Sequence, residues 1–368
     1  LSPELSGMAT SHPPLSESRF RPRILQSVGI ILSYQCTNVC RHCLYSCSPQ
    51  ASAWMSREVL MAIVDQLLQF RDHLRSIHLA GGEPFLRFEF LVEAVELLSK
   101  SHLPLAYVET NAYWATREDI ARAKLEALRR AGLRAILISV SPFHLEQIPF
   151  ERTERAVRLA EEVFGRWNVL LFTPEFYEHF KSLGIRGVLA FEEYRKLVPT
   201  AWLARLIRVN YQFVPNGRGA FRLAELFPSF PARQFFSSNC REELSYPGHV
   251  HIDLYGNYIG GLCAGISVGN GLQLSKLYNE GTELEGRPFL RGLVLDDLET
   301  LFRWAQENFG YTESETGYIA KCHLCADLRE HLYRQGFRPP ELAPPEFYLH
   351  LRAEPRSRWK GSPVSQGS

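Results

Sequence analysis

The stretch Val28-Gly29-Ile30-Ile31-Leu32-Ser33-Tyr34-Gln35-Cys36-Thr37-Asn38-Val39-Cys40-Arg41-His42-Cys43 runs from an apolar, β-branched strand straight into three cysteines spaced CxxxCxxC. Valine and isoleucine favour extended chain because their branched side chains fit a pleated surface. A loop this tight cannot easily join its own thiols into disulfides. It can wrap a compact centre of a soft metal, which prefers thiolate donors. Three thiolates leave one coordination position open, whereas structural zinc takes four protein ligands.

Working outward, β-rich runs at 28–34, 76–80, 105–109, 135–140, 168–172 and 206–214 alternate with amphipathic segments. Val59, Ile63, Leu67 and Phe70 recur at three- and four-residue spacings, which places them on one helical face. Six repeated βα units predict an α/β fold with helices over a parallel sheet. Chemistry in such folds gathers at the C-terminal ends of the strands, where the loops converge. After Pro215-Asn216-Gly217-Arg218-Gly219 the alternation stops. A hairpin over 250–262 turning at Tyr255-Gly256-Asn257 and a helix over 296–309 are expected beyond it. The chain thus divides into a flexible N-terminal segment (1–25), a barrel-like unit (26–219), a smaller cysteine-containing α+β unit (220–337) and a Pro-rich, loosely ordered tail (338–368).

The 368 residues carry 41 Lys and Arg against 40 Asp and Glu, so no global basic footprint for nucleic acid exists; Arg352, Arg356, Arg358 and Lys360 near the end form only a short one. No apolar run approaches the roughly 18 residues that span a bilayer, and the first 25 residues lack the apolar core of a secretory signal. The expectation is a cytoplasmic protein with no membrane or nucleic-acid partner. In that reducing compartment eight cysteines read as metal or redox groups rather than disulfides.

CxxxCxxC at 36–43, together with Gly81-Gly82-Glu83-Pro84 at the end of the next strand, resembles the motif pair of the radical SAM superfamily. The resemblance implies a partial (β/α)6 TIM-type barrel. In it Cys36, Cys40 and Cys43 ligate three irons of a [4Fe–4S] cluster, and S-adenosylmethionine (SAM) chelates the fourth. It also implies that the Gly81-Gly82 turn binds the methionine amino group. Glu83 either touches the cofactor or fixes the turn. Tyr45 is placed to pack on adenine, with ordinary loop packing as the other reading. Asn111 and Ser139, at strand ends beside Glu109, Thr110 and Ser141, would meet the ribose and carboxylate of SAM, or else cap the following helices. His144, Asn210, Gln212 and Arg218 are candidates to face the substrate, against plain structural roles. No catalytic residue is singled out.

Cys240, Cys263, Cys322 and Cys325 form a second set, with Cys322-His323-Leu324-Cys325 a CxxC. The run from Cys240 through Gly256 to Cys263 resembles the opening of SPASM and twitch extensions, which carry auxiliary iron–sulfur clusters. His331 stands where a further SPASM cysteine would be, so a single four-thiolate [4Fe–4S] cluster of twitch type is the economical reading, and a four-cysteine zinc site the alternative. Cys47 has no partner in either set. It is read as a packed free thiol or a catalytic one.

The function implied by the resemblance is reductive cleavage of SAM at the first cluster, giving a 5′-deoxyadenosyl radical that abstracts hydrogen from a peptide or protein side chain. Synthesis of a cofactor or small metabolite is the alternative, and an iron–sulfur electron-transfer protein or zinc scaffold a more distant one. A low-potential electron donor such as flavodoxin or ferredoxin is the implied partner.

Overall fold

The computed structural model describes residues 18–210 and 213–354. Its strands are β1 (Arg19–Phe20), β2 (Ser27–Ile31), β3 (Ser76–Ala80), β4 (Leu105–Thr110), β5 (Ile136–Ser139), β6 (Val169–Phe172), β7 (Val250–Asp253), β8 (Asn257–Gly260), β9 (Gly269–Asn270) and β10 (Thr282–Glu283). Eight of them form one sheet in the order β6-β5-β4-β3-β2-β7-β8-β9. The six from β6 to β7 are parallel, and β8 and β9 continue antiparallel.

Helices α1 (Arg57–Leu68), α2 (Phe88–Lys100), α3 (Glu118–Arg130), α4 (Pro142–Leu145), α5 (Phe150–Phe164) and α6 (Pro174–Ser182) fill and follow the connections. Ser56 starts α1 by accepting a hydrogen bond from Val59 N. Side chains alternate across a strand, so Val28 and Ile30 of β2, and Ile77 and Leu79 of β3, turn to one face. All four are buried, as are Leu60, Ile63 and Leu67 of α1 and Leu91, Val95 and Leu98 of α2. The opposite face, carrying Gly29, His78 and His251, looks into a cavity.

Five of the six strands expected from sequence are present, and the sixth is not where the β-rich run placed it. Residues 200–210 are a short helix, Thr200–Arg205, continuing into the π-helical turn Leu206–Asn210. Leu203, Leu206 and Ile207 bury one side at helical spacing while Val209 is left exposed, so the 3.6-residue period wins over β-branching. The sixth parallel strand is β7, on the far side of β2. The sheet is open, with β6 and β9 at its edges.

Because β7 pairs with β2, the change of pattern near Gly219 is not a break in the sheet. The hairpin formed by β7 and β8 turns at Gly256, whose positive φ and hydrogen bond to Asp253 O fit the tight corner. The helix expected at 296–309 is Leu298–Phe309, capped by Asp297.

Two expectations about the ends are corrected. Phe20 and Leu25 are buried, and β1 pairs with β10, so the expected flexible segment is ordered from residue 18; residues 1–17 lie outside the described set. The Pro-rich tail is packed through residue 354. Glu341 accepts from Phe289 N at 2.9 Å, helix Pro345–Leu349 starts at prolines suited to its first turn, and Phe347 and Leu351 are fully buried. Residues 355–368, with Arg356, Arg358 and Lys360, lie outside the described set. Phe347→Ala is expected to lower stability by about 3–5 kcal/mol in chemical denaturation, whereas a loose tail would give no change.

Candidate functional site

Cys36, Cys40 and Cys43 follow β2 and face a cavity of about 450 Å³ at the C-terminal ends of the strands. Their loop is held from behind by Arg218, which is wholly buried. Its guanidinium donates to Cys40 O at 2.8 Å, Cys47 O at 2.9 Å and His350 O at 3.2 Å, and its backbone N donates to Cys43 O at 3.0 Å. Gly217 comes so close to this loop that a Cβ would sit 2.2 Å from Leu44 O. Arg218, a candidate from sequence to face the substrate, is instead a clamp on the cysteine loop.

Burial pushes the Cys36 thiol up to about 12 and Cys40 well above the usual thiol value, with the Arg218 charge working against both. Cys43 is held down to about 6, first by a hydrogen bond from the Cys47 thiol. Cys47 N also donates to Cys43 Sγ at 3.3 Å. Cys47 is buried at the cavity wall.

The glycine turn is fused to the same loop. Gly82 N donates to Ser33 O at 2.7 Å, and Glu83 N to Gln35 O at 2.9 Å. A Cβ on Gly82 would lie 1.9 Å from Gln35 O, and one on Gly81 2.6 Å from Ser33 O, so the absence of side chains lets the two motifs touch. The Glu83 carboxylate is fully buried and accepts from Phe85 N, Thr110 Oγ1 and Asn111 N at 3.1, 2.9 and 2.7 Å. Burial raises it to about 7 against the pull of these bonds. Glu83 therefore fixes the turn to the end of β4. It does not line the cavity.

Gly81, Gly82, Tyr45, Asn111, Ser139 and His144 all line the cavity with the three cysteines. Asn111 Nδ2 donates to Thr37 Oγ1 at 3.0 Å and lies 3.6 Å from Cys36 Sγ. Tyr45 OH is 2.6 Å from His251 Nδ1. His144 Nδ1 is 2.8 Å from Ser141 Oγ, which ties it to the start of α4. Gln212 and the Asn210 side chain lie outside the described set. Sequence reasoning missed His78, His249 and His251, which share the cavity. A partial signal was present: His249 and His251 are two apart where the hairpin strand begins, the spacing that puts side chains on one face of extended chain.

Cys240, Cys263, Cys322 and Cys325 converge at a second place. Cys322 and Cys325 occupy the first turn of helix Lys321–Arg334, whose N-terminus favours thiolate, and Cys240 precedes helix Arg241–Ser245. Burial pushes Cys263 up to about 12 and Cys322 to about 11, and each is raised further by neighbours of the same set. Among the described residues no three cysteine sulfurs all lie within 4.8 Å of one another. A tetrahedral zinc with bonds of about 2.3 Å would hold its sulfurs roughly 3.8 Å apart.

Residues 30–184 match the sequence profile of the Radical SAM superfamily. Residues 30–184 are a radical SAM domain. The match covers 155 of the 368 residues. It is similar to YydG of Bacillus subtilis (strain 168), whose name assigns it to peptide biosynthesis, with 24% identity over 136 residues. That stretch is 37% of this chain and 41% of YydG, so the match spans about two-fifths of the relative's length. Similar solved structures include BtrN in complex with AdoMet and 2-DOIA, 13% identical with a TM-score of 0.35 over 83% of this chain and 93% of that one. Another is anSMEcpe with bound AdoMet and a Cp18Cys peptide, 16% identical with a TM-score of 0.40 over 84% and 97%.

The clamp on the radical SAM loop has a measurable consequence. Arg218→Leu strands two buried carbonyls, those of Cys40 and Cys47, each worth about 1–3 kcal/mol when unpaired. Both denaturation stability and iron held at Cys36, Cys40 and Cys43 are expected to fall. Arg218→Lys is expected to recover only part of each, because an ammonium does not reproduce the planar fork.

Proposed function

We propose that this chain is a radical SAM enzyme acting on a peptide or protein side chain. The observation that carries the reading is the fusion of the glycine turn to the cysteine loop, which brings three thiols and an accessible strand-end backbone to one cavity wall. The donor set fits a [4Fe–4S] cluster: three soft thiolates on one cavity wall, with one position left free. Bound there, the cluster would supply an electron to the SAM sulfonium, and the released 5′-deoxyadenosyl radical would take hydrogen from the substrate.

The chain's own residues hold and shield. Gly81 and Gly82 present backbone on the cavity wall to the methionine end of SAM, and Asn111 and Ser139 offer polar groups for its ribose and carboxylate. Tyr45 and Phe172 supply aromatic wall, and the sheet and its helices keep water from the reacting centre. No one of these residues needs to move a proton in the hydrogen-transfer step.

Cys240, Cys263, Cys322 and Cys325, which raise one another's thiol values as near neighbours, would hold a second [4Fe–4S] cluster in a twitch-like extension, with zinc the alternative. The peptide substrate rests on the similarity to YydG. A low-potential donor such as flavodoxin or ferredoxin is required for the first electron. Eight unpaired cysteines suit the reducing cytoplasm. Among the described residues no helix is long and apolar enough to cross a membrane.

Anaerobic reconstitution is expected to load about eight irons per chain without stoichiometric zinc; about four irons and one zinc would remove the second cluster from this account. Under strong reductant the protein is expected to release 5′-deoxyadenosine from SAM, and Cys40→Ala to release none. Transfer of deuterium from a labelled peptide into that product would establish the substrate class, and cleavage by Cys40→Ala would refute the assignment.

A further inference from the structure

Inside the cavity, β3, β2 and β7 bring three histidines over one glycine. Gly29 is the register partner of both His78 and His251. A Cβ on Gly29 would lie 2.5 Å from His251 Nε2 and 2.7 Å from His78 Nε2, so two ring nitrogens converge on the space that glycine leaves free. His249 Nε2 completes the group, 3.3 Å from His251 Nε2. Among the described residues these three have ligand atoms all within 4.8 Å of one another.

The far sides of two rings are already held. His249 Nδ1 is 2.7 Å from Ser27 Oγ, and His251 Nδ1 is 2.6 Å from Tyr45 OH. Each contact fixes a ring so that Nε2 points at the shared space, the arrangement that outer partners give to metal-binding histidines. His78 supplies the independent sign. It is only 4% exposed, and its Nε2 makes no hydrogen bond, although Glu109 Oε1 stands 3.3 Å away. A buried donor or acceptor without a partner is costly, and here it aims into the trio.

We infer that His78, His249 and His251 bind one divalent transition-metal ion of the zinc or ferrous type through their Nε2 atoms, with an open position facing the cavity. Three imidazoles suit such borderline ions, and three protein ligands plus one free place is the pattern of a catalytic rather than a structural site. His249 and His251 Nε2 share a hydrogen bond at 3.3 Å, close to the roughly 3.3 Å between ligands of a tetrahedral ion with bonds of about 2.05 Å, so an ion would replace the shared proton with little movement of these two rings. The remaining separations are longer, so binding draws the rings together. The open position would take a water or a substrate oxygen such as a peptide carbonyl, polarising it as a Lewis acid. Glu109, at the edge of the trio, would receive a hydrogen bond from that ligand. The site stands on its own residues and does not depend on SAM cleavage.

Zinc is the probe. The full-length protein, with its cysteine sites first loaded with iron and sulfide under anaerobic conditions, is expected to take up one further equivalent of Zn²⁺. X-ray absorption at the zinc edge should show nitrogen and oxygen neighbours near about 2.0–2.1 Å and no sulfur near about 2.3 Å. His249→Ala, at the least buried of the three positions, should abolish the uptake. Ser27→Ala, which removes no ligand, should weaken it about 10- to 100-fold. Failure to bind zinc, a sulfur shell, or equal uptake by His249→Ala would each overturn the proposal. Release of 5′-deoxyadenosine from SAM, scored on the same samples, reports separately on the radical SAM reading.

Discussion

A buried guanidinium holds the functional end of this molecule together. Removing a charge from water costs several kcal/mol, and only good geometry offsets it. Arg218 meets that condition by spending its donors on the carbonyls of Cys40, Cys47 and His350. It thereby links the cysteine loop, the segment after it and the C-terminal helix in one knot. Its position also sets positive charge behind thiols that burial alone would keep protonated. The neighbouring Asn216 extends the knot to the second cysteine set. Its Nδ2 donates to Leu262 O and Ala264 O, and its Oδ1 accepts from Arg329, another fully buried arginine, which also reaches Ala264 O and Cys325 O. Asn216 and Arg218 thus bridge the segments that carry the two cysteine sets.

The same economy of space governs the cavity. Gly82 and Gly217 allow backbone to meet backbone around the cysteine loop, and Gly29 leaves a hollow beneath three imidazoles. A methyl group at Gly82 or Gly217 would collide with the backbone of the cysteine loop, and one at Gly29 with the His251 and His78 rings. Docking β7 beside β2 closes the side of the cavity and brings His249 and His251 opposite His78. Burial holds these imidazoles neutral, His78 near 3 and His249 near 4, so the interior stays free of uncompensated positive charge. A carboxyl that opens onto the cavity, Glu109, is raised by burial to about 7.

Much of the architecture was legible in the residues. The alternation of β-branched runs with amphipathic segments located β2 to β6, because strand and helix periods differ and each buries its own face. The hairpin and the helix Leu298–Phe309 carried their turn and cap signals. The failures share a cause. Residues 206–214 look β-prone one by one, yet Leu203, Leu206 and Ile207 have a common buried side only in a helix. The prolines after Arg338 suggest a loose tail, yet Phe347 and Leu351 find a core built by distant segments. Local propensity cannot register a partner far along the chain.

CxxxCxxC and the second CxxC by themselves picked out the candidate thiolate donors, since close spacing along the chain fixes which of them can meet. What only the tertiary structure decided is how those donors are held and what else joins them. Glu83 and Arg218 became structural once Glu83 was seen to accept from Phe85 N, Thr110 Oγ1 and Asn111 N, and Arg218 to donate to the carbonyls of Cys40, Cys47 and His350. The histidine trio and the sixth parallel strand arose from pairing residues near 29 with residues near 78 and 250, a contact set by packing and hydrogen bonding across more than 200 positions.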